Sequence, residues 1–222
     1  MACSGVGSGP PPLTLPTTNL LAAWDARVGV TNDGSGFCSA WADQSGNGFH
    51  ATQSTAGARP LISTSDGYAS LLFDGVTDWL ITTGISAGAG AKTIYVVIKP
   101  GAPTSNDVIW TSSTPLLYFG VRQSSYTFVA YDTTFRESGL SVGSSRCRVT
   151  YEIQSGAFNS WKDGVSGTPA AWGTNTAIGG TSGIGAGATG LDKIAAHIHA
   201  LFIYTAARNT AVEDYITQEW GV

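Results

Sequence analysis

Five short landmarks follow one another along this chain: Trp24-Asp25, Trp41-Ala42-Asp43-Gln44-Ser45-Gly46-Asn47-Gly48, Phe73-Asp74-Gly75, Trp161-Lys162-Asp163-Gly164 and Trp220-Gly221. In each, an aromatic residue suited to a pleated, half-buried strand is followed by Asp or Gly, which bend the backbone sharply. Asp-Gly directly after a strand is a hairpin signal. Strand and tight turn repeated in this order restrict the chain to an antiparallel all-β fold.

The segments between the landmarks agree. Leu20 to Trp24, Tyr68 to Phe73, Trp79 to Thr82, Val108 to Thr111, Leu116 to Arg122, Tyr126 to Tyr131, Arg148 to Ile153 and Ala157 to Lys162 all read as strands. Thr93 to Ile98 is an almost unbroken β-branched and aromatic run, as in a strand covered on both faces. Ile194 to Tyr204 alternates, which places Ile194, Ala196, Ile198, Ala200, Phe202 and Tyr204 on one face and His197, His199, Leu201 and Ile203 on the other. Residues 179 to 190 hold six glycines and read as a loop, either a mobile rim or a surface of close approach. One helix is expected over 210 to 220. Thr210-Ala211-Val212-Glu213 reads as its capping box, Val212, Tyr215, Ile216 and Trp220 as its apolar stripe, and Gly221 as its C-terminal cap.

Residues 1 to 18 differ in composition. Gly5, Gly7 and Gly9 with Pro10, Pro11, Pro12 and Pro16 hold neither ladder nor helix, so a flexible arm is expected there, followed by one domain over 19 to 222. Within the arm, Pro10, Pro11, Pro12, Leu13 and Leu15 are the residues expected to touch a partner. Charged residues make up only 12% of the chain, about half the usual quarter. Eleven scattered Lys and Arg against fifteen Asp and Glu give no basic stripe, so neither nucleic acid nor an anionic membrane is expected as a partner. Residues 1 to 9 have no basic n-region and no apolar run, so synthesis in the cytoplasm without a signal peptide is expected. Cys3, Cys38 and Cys147 are an odd number without metal-ligand spacing. A Cys38 to Cys147 bridge stays open in an oxidising compartment, and buried free thiols are the preferred reading.

The combination of residues 21 to 27 (Leu-Ala-Ala-Trp-Asp-Ala-Arg), 41 to 48, His50-Ala51-Thr52-Gln53, Arg59-Pro60, Phe73-Asp74-Gly75 and 212 to 221 resembles the laminin-G-like branch of the concanavalin A-like lectin/glucanase superfamily. It resembles in particular the domains of bacteriophage head-decoration, fibre and tail proteins. The resemblance implies a two-sheet antiparallel jelly-roll sandwich with a face that binds sugar or protein, and no single activity. Two functions follow as expectations. The first is a virion protein, moored by its arm to a major capsid or other virion protein and self-associating, with a trimer as one form. The second is a module binding a surface glycan for host attachment.

Catalysis is not expected. A glycosidase needs two facing carboxylates, and the superfamily's Glu-x-Asp-x-x-Glu is missing: Glu137, Glu152, Glu213 and Glu219 are the only glutamates, none with an acid two positions on. No Gly-x-Ser-x-Gly elbow joins a strand to a helix either. Sugars stack on Trp and Tyr rings, and Trp110, Tyr118, Tyr126, Tyr131 and Trp172 are the candidates for such a face, each with core or rim packing as its competing role. His197 and His199, two apart on a strand, have metal-site spacing, but packing among Leu201 and Ile203 is preferred. No cofactor is expected. If calcium binds, Asp43, Asp74 and Asp78 are the candidates, all three equally explained as turn residues.

Overall fold

A computed structural model of the chain describes residues 13–102, 107–187 and 189–222. Two antiparallel sheets pack face to face as a jelly-roll sandwich with one helix. Among the described residues each sheet has nine strands. One runs Val165–Ser166, Ala157–Lys162, Cys147–Gln154, Lys92–Pro100, Ala195–Tyr204, Ser70–Asp74, Leu61–Ser63, with Leu20–Asp25 beside the second half of Ala195–Tyr204 and Ala170–Ala171 beside Ala157–Lys162. The other runs Phe135–Ser141, Thr127–Tyr131, Leu116–Arg122, Asp107–Ser113, Ser182–Ile184, Leu80–Thr82, Ala51–Thr52, Cys38–Trp41, Val30–Asn32. The inward residues of both, including Trp24, Trp41, Phe73, Trp110, Phe119, Phe128, Tyr151 and Phe158, form one continuous core.

The landmarks act as staples. Asp43 accepts hydrogen bonds from Ala23 N (2.8 Å), Ser45 N (2.9 Å), Ser45 Oγ (2.7 Å) and Phe49 N (3.0 Å), so its turn is fastened to the first strand. Trp24 donates from its indole to Phe49 O at 3.1 Å, closing the same staple. Trp161 carries Arg208 over its ring at 4.4 Å, and Asp163 receives Arg148 N at 2.7 Å.

Three expectations need correction. The alternation read along 194 to 204 breaks: the register shifts between Ile198 and Ala200. Ile194, Ala196 and Ile198 point into the core, but so do Leu201 and Ile203, while Ala200, Phe202 and Tyr204 face outward. His199 is the extra residue of a β-bulge, which turns the strand over by one position. The helix, Thr210–Trp220, is capped by Asn209, whose side chain accepts from Ala211 N at 2.9 Å, not by a Thr210 box. Glu213 serves elsewhere, accepting from Thr150 Oγ1 (3.1 Å), Arg208 Nε (2.8 Å) and the Arg208 Nη2 group, with Arg148 alongside at 3.8 Å. Gly221 does take the left-handed cap, φ 67°. Finally, the glycine-rich loop contains the strand Ser182–Ile184, inserted between two others of its sheet. Its glycines are for close approach: a Cβ on Gly185 would lie 2.2 Å from the Phe73 ring.

The helix covers half of one sheet. Val212, Tyr215, Ile216 and Trp220 pack on Tyr95, Val97, Phe202 and Tyr204. Arg27, stacked on Trp220 at 4.0 Å and paired with Asp25 and Glu219, ties the helix to the first strand. Pro10, Pro11 and Pro12 lie outside the described residues. Of the two arm leucines that are described, Leu13 donates its N–H to Gln218 Oε1 at 3.1 Å, and Leu15 packs on the helix-side cluster. Both spend contacts on this domain's own helix. Cys38 and Cys147 are buried and unbridged, with burial raising each thiol to about 12.

Candidate functional site

The half of the sheet that the helix leaves open carries a groove of about 920 Å³, at the upper end of the range of small-molecule sites. Its floor comes from strand register. Leu61 pairs with Leu72, Leu72 with His197, and His197 with Lys99, so these four side chains stand in one row across four strands on the outer face. The next row is Asp74 opposite Ala195, followed by Gly101, whose N–H donates to Ala195 O at 2.7 Å. A Cβ on Gly101 would stand 2.7 Å from that carbonyl oxygen, so the groove keeps its depth here through small residues. Phe37, brought over from the other sheet by its bridge to Leu61, forms one wall, and the turn from Asp74 to Asp78 forms another. Phe37 and Leu61 are each 37% exposed, so their apolar surface can be reached from solvent.

The polar groups divide into those consumed by the fold and those left over. Arg59 gives Nε to Gln53 O, Nη1 to Asp33 Oδ2 and Nη2 to Ser54 O, at 2.9 to 3.0 Å. Asp74 accepts from Val76 N, Thr77 N and Asp78 N with one oxygen and from Thr77 Oγ1 with the other. Burial alone would raise its carboxyl, but these donors prevail and lower it to about 2. Asp78 accepts Asp74 N at 3.1 Å and has only a 3.4 Å contact to Thr77 Oγ1 on its other oxygen. Burial, and next the charge of Asp74, push it up to about 6. His197 uses Nδ1 on Ser70 Oγ at 3.0 Å, which leaves Nε2 unbonded among the described residues, and its pKa is lowered by burial. Lys99 forms no ion pair or hydrogen bond among them. Lys99, His197 Nε2, Asp78 and the exposed Ser35 hydroxyl are thus the side-chain groups with capacity for a ligand.

Asp74 and Asp78 share one turn rather than facing each other across a bond, and Asp33 is paired with Arg59 at 3.0 Å. Beside the groove, a polar seam separates it from the helix. His199 bonds Ala69 O through Nδ1 at 2.9 Å, and its Nε2 lies 3.0 Å from Asp66 Oδ2 without the alignment of a hydrogen bond. Arg146 stacks over Tyr68 at 3.6 Å and donates to Trp220 O.

Of the five aromatic residues expected to form a sugar face, Tyr118 and Tyr131 come together and the other three do not join them. Trp110 is fully buried and Trp172 is 5% exposed; they sandwich Phe119 inside the core, where no ring face meets solvent. This corrects both as glycan contacts. Tyr118 and Tyr131 stack at 4.8 Å on the outer face of the opposite sheet, against Phe135. Tyr126 stands alone in a turn, 52% exposed. Of the calcium candidates, Asp43 sits in its staple with both oxygens turned to N–H and O–H donors, as does Asp74. Among the described residues no three His, Cys, Asp or Glu are grouped to hold a metal ion, and no helix is long and apolar enough to cross a membrane. Missing from the sequence reading were Phe37, Leu61, Leu72, Lys99 and Gly101. The one local signal was Leu71-Leu72-Phe73, three apolar residues where alternation allows two.

No family model matches the sequence, and neither does any curated protein. Solved structures do resemble the fold. Domain 4 of AbnA, a GH43 extracellular arabinanase from Geobacillus stearothermophilus in complex with arabinotriose, superposes with a TM-score of 0.63 at 11% identity, covering 89% of this chain and 98% of that one. The binding domain of Paraclostridial Mosquitocidal Protein 1 gives 0.62 at 10% identity, over 90% of this chain and 52% of that one. Trypanosoma rangeli sialidase in complex with sialic acid gives 0.62 at 13% identity, over 93% and 34%. The chain therefore spans nearly all of the arabinanase domain, about half of the toxin domain and about a third of the sialidase. Likeness at these identities is likeness of fold, and the fold these chains share is the two-sheet antiparallel sandwich.

Proposed function

We propose that this protein is a non-enzymatic carbohydrate-binding module whose site is the groove on the open half of the helix-side sheet. The observation that carries the reading is the row Leu61, Leu72, His197, Lys99: an apolar floor running into groups with unused hydrogen-bonding capacity. A sugar presents C–H faces and hydroxyl edges, and such a surface matches both. The arabinanase domain supports the reading as a sandwich of nearly the same extent that holds an oligosaccharide. A virion role, with the arm as mooring, draws no such support from the described arm residues, where Leu15 packs on the helix-side cluster and Leu13 bonds Gln218 through its backbone N–H. The test is a glycan array followed by calorimetric titration of the strongest binder. Binding is expected to fall by at least about tenfold in Lys99→Ala and in Phe37→Ala. A Tyr118→Ala variant is expected to bind unchanged. Loss only on changing Tyr118, or no retention of any glycan, would sink the proposal.

A further inference from the structure

The groove is lopsided. Its Phe37, Leu61 and Leu72 end is poor in hydrogen-bond partners: the nearby Arg59 guanidinium is filled by Gln53, Asp33 and Ser54, Asp33 also accepts from Ser35 N at 2.8 Å, and the exposed Ser35 hydroxyl is the polar side-chain group left there. The other unused groups, Lys99, His197 Nε2 and Asp78, are reached past Leu72 along the row or on the facing turn. A hydroxyl pressed onto the apolar end would lose its water without replacement, which is unfavourable. A methyl group there would be buried favourably.

Resting on the carbohydrate-binding reading above, we infer that the groove selects sugars that carry methyl groups, N-acetylated or 6-deoxy residues, over their fully hydroxylated counterparts. The methyl sits on Leu61, Leu72 and Phe37, and the remaining hydroxyls reach Lys99, His197 and Asp78. No ring of Trp or Tyr lines the groove, so the stacking that serves an unsubstituted hexose has only Phe37 to use. Discrimination then comes from the substituent, and each buried methyl is worth about a fourfold gain in affinity.

The experiment is calorimetric titration of the full chain with matched pairs: triacetylchitotriose against cellotriose, and L-rhamnose against L-mannose. The methyl-bearing member of at least one pair is expected to bind about fourfold or more tightly. In Leu72→Ser, verified as folded by its near-ultraviolet circular dichroism, that ratio is expected to fall toward one while the unsubstituted sugar changes by less than about twofold. Equal or tighter binding of both hydroxylated members overturns the inference and leaves the carbohydrate reading standing. A preference that survives Leu72→Ser overturns it too, because the floor is then not its source. Silence across a full glycan array overturns both.

Discussion

Asp43 receives donors from the first strand, from its own turn and from Phe49, so the landmark that looks like a turn in the sequence is also a clamp between distant segments. Asp43→Ala leaves three backbone N–H groups without their acceptor. At about 1 kcal/mol or more for each, a loss of about 3 kcal/mol in urea unfolding is expected, with a smaller loss in Asp43→Asn. In the groove, Asp74 and Asp78 depart from the ordinary value of 3.8 in opposite directions. The Asp74 contribution to stability is full above pH 4 and is lost as the pH falls toward about 2. Asp78 works the other way: raised to about 6, it takes up a proton in the folded state that the unfolded chain releases, so stability is gained as the pH falls from about 6 to about 4. His197 and His199, both lowered by burial from 6.5, oppose this gain as the pH falls below that value. The sign is therefore read as a difference. Asp78→Asn is expected to be more stable than wild type at pH 7, and the gap is expected to close by about 1 to 2 kcal/mol by pH 4.5 in paired urea curves. A gap that widens on acidification contradicts the assignment.

Strands and hairpins were legible because each rests on a few adjacent residues: the Lys92–Pro100 strand from its β-branched run, the turn after Trp161 from Asp163-Gly164, the helix end from Gly221. The bulge at His199 was not, because alternation on either side of it is regular and only the pairing with Lys92–Pro100 reveals the shift. Deleting His199 would leave Ile198, Leu201 and Ile203 facing the core and Ala200, Phe202 and Tyr204 facing the helix, now in unbroken alternation, because Ile198 and Ala200 already sit opposite the neighbours Ile98 and Val97. The deletion is expected to keep cooperative thermal unfolding, as is His199→Ala, whereas inserting a second residue beside His199 would turn Ala200 to Tyr204 over and is expected to abolish it. The helix start was misread because Thr210 and Glu213 fit a capping box locally, while Arg148, Thr150 and Arg208 claim Glu213 from outside the helix. Asn209→Ala is expected to cost about 1 kcal/mol and Thr210→Ala only a few tenths. Glu213→Ala, which strands the buried Arg148, is expected to cost about 3 to 5 kcal/mol. All three are read from urea midpoints.

For the molecule as a whole, the antiparallel all-β class followed from local patterns and the two-sheet sandwich from the resemblance, but the groove is a property of register between strands far apart in the chain. Leu61, Leu72, Lys99 and His197 carry no mutual signal until the strands are ordered. Conspicuous aromatic residues such as Trp110 and Trp172 turned out to be the core that holds the sheets together, so the side chains most visible in the sequence build the platform and less visible ones build the site. The helix completes the division by closing one half of the sheet and leaving the other open. Amide chemical-shift mapping on isotope-labelled protein, titrated with the best-binding oligosaccharide, tests this most directly. The account predicts shifts concentrated at Phe37, Leu61, Leu72, Thr77, Lys99, Gly101 and Ala195, with Tyr118, Tyr131 and Phe135 unmoved; shifts concentrated on those three aromatic residues instead would contradict it.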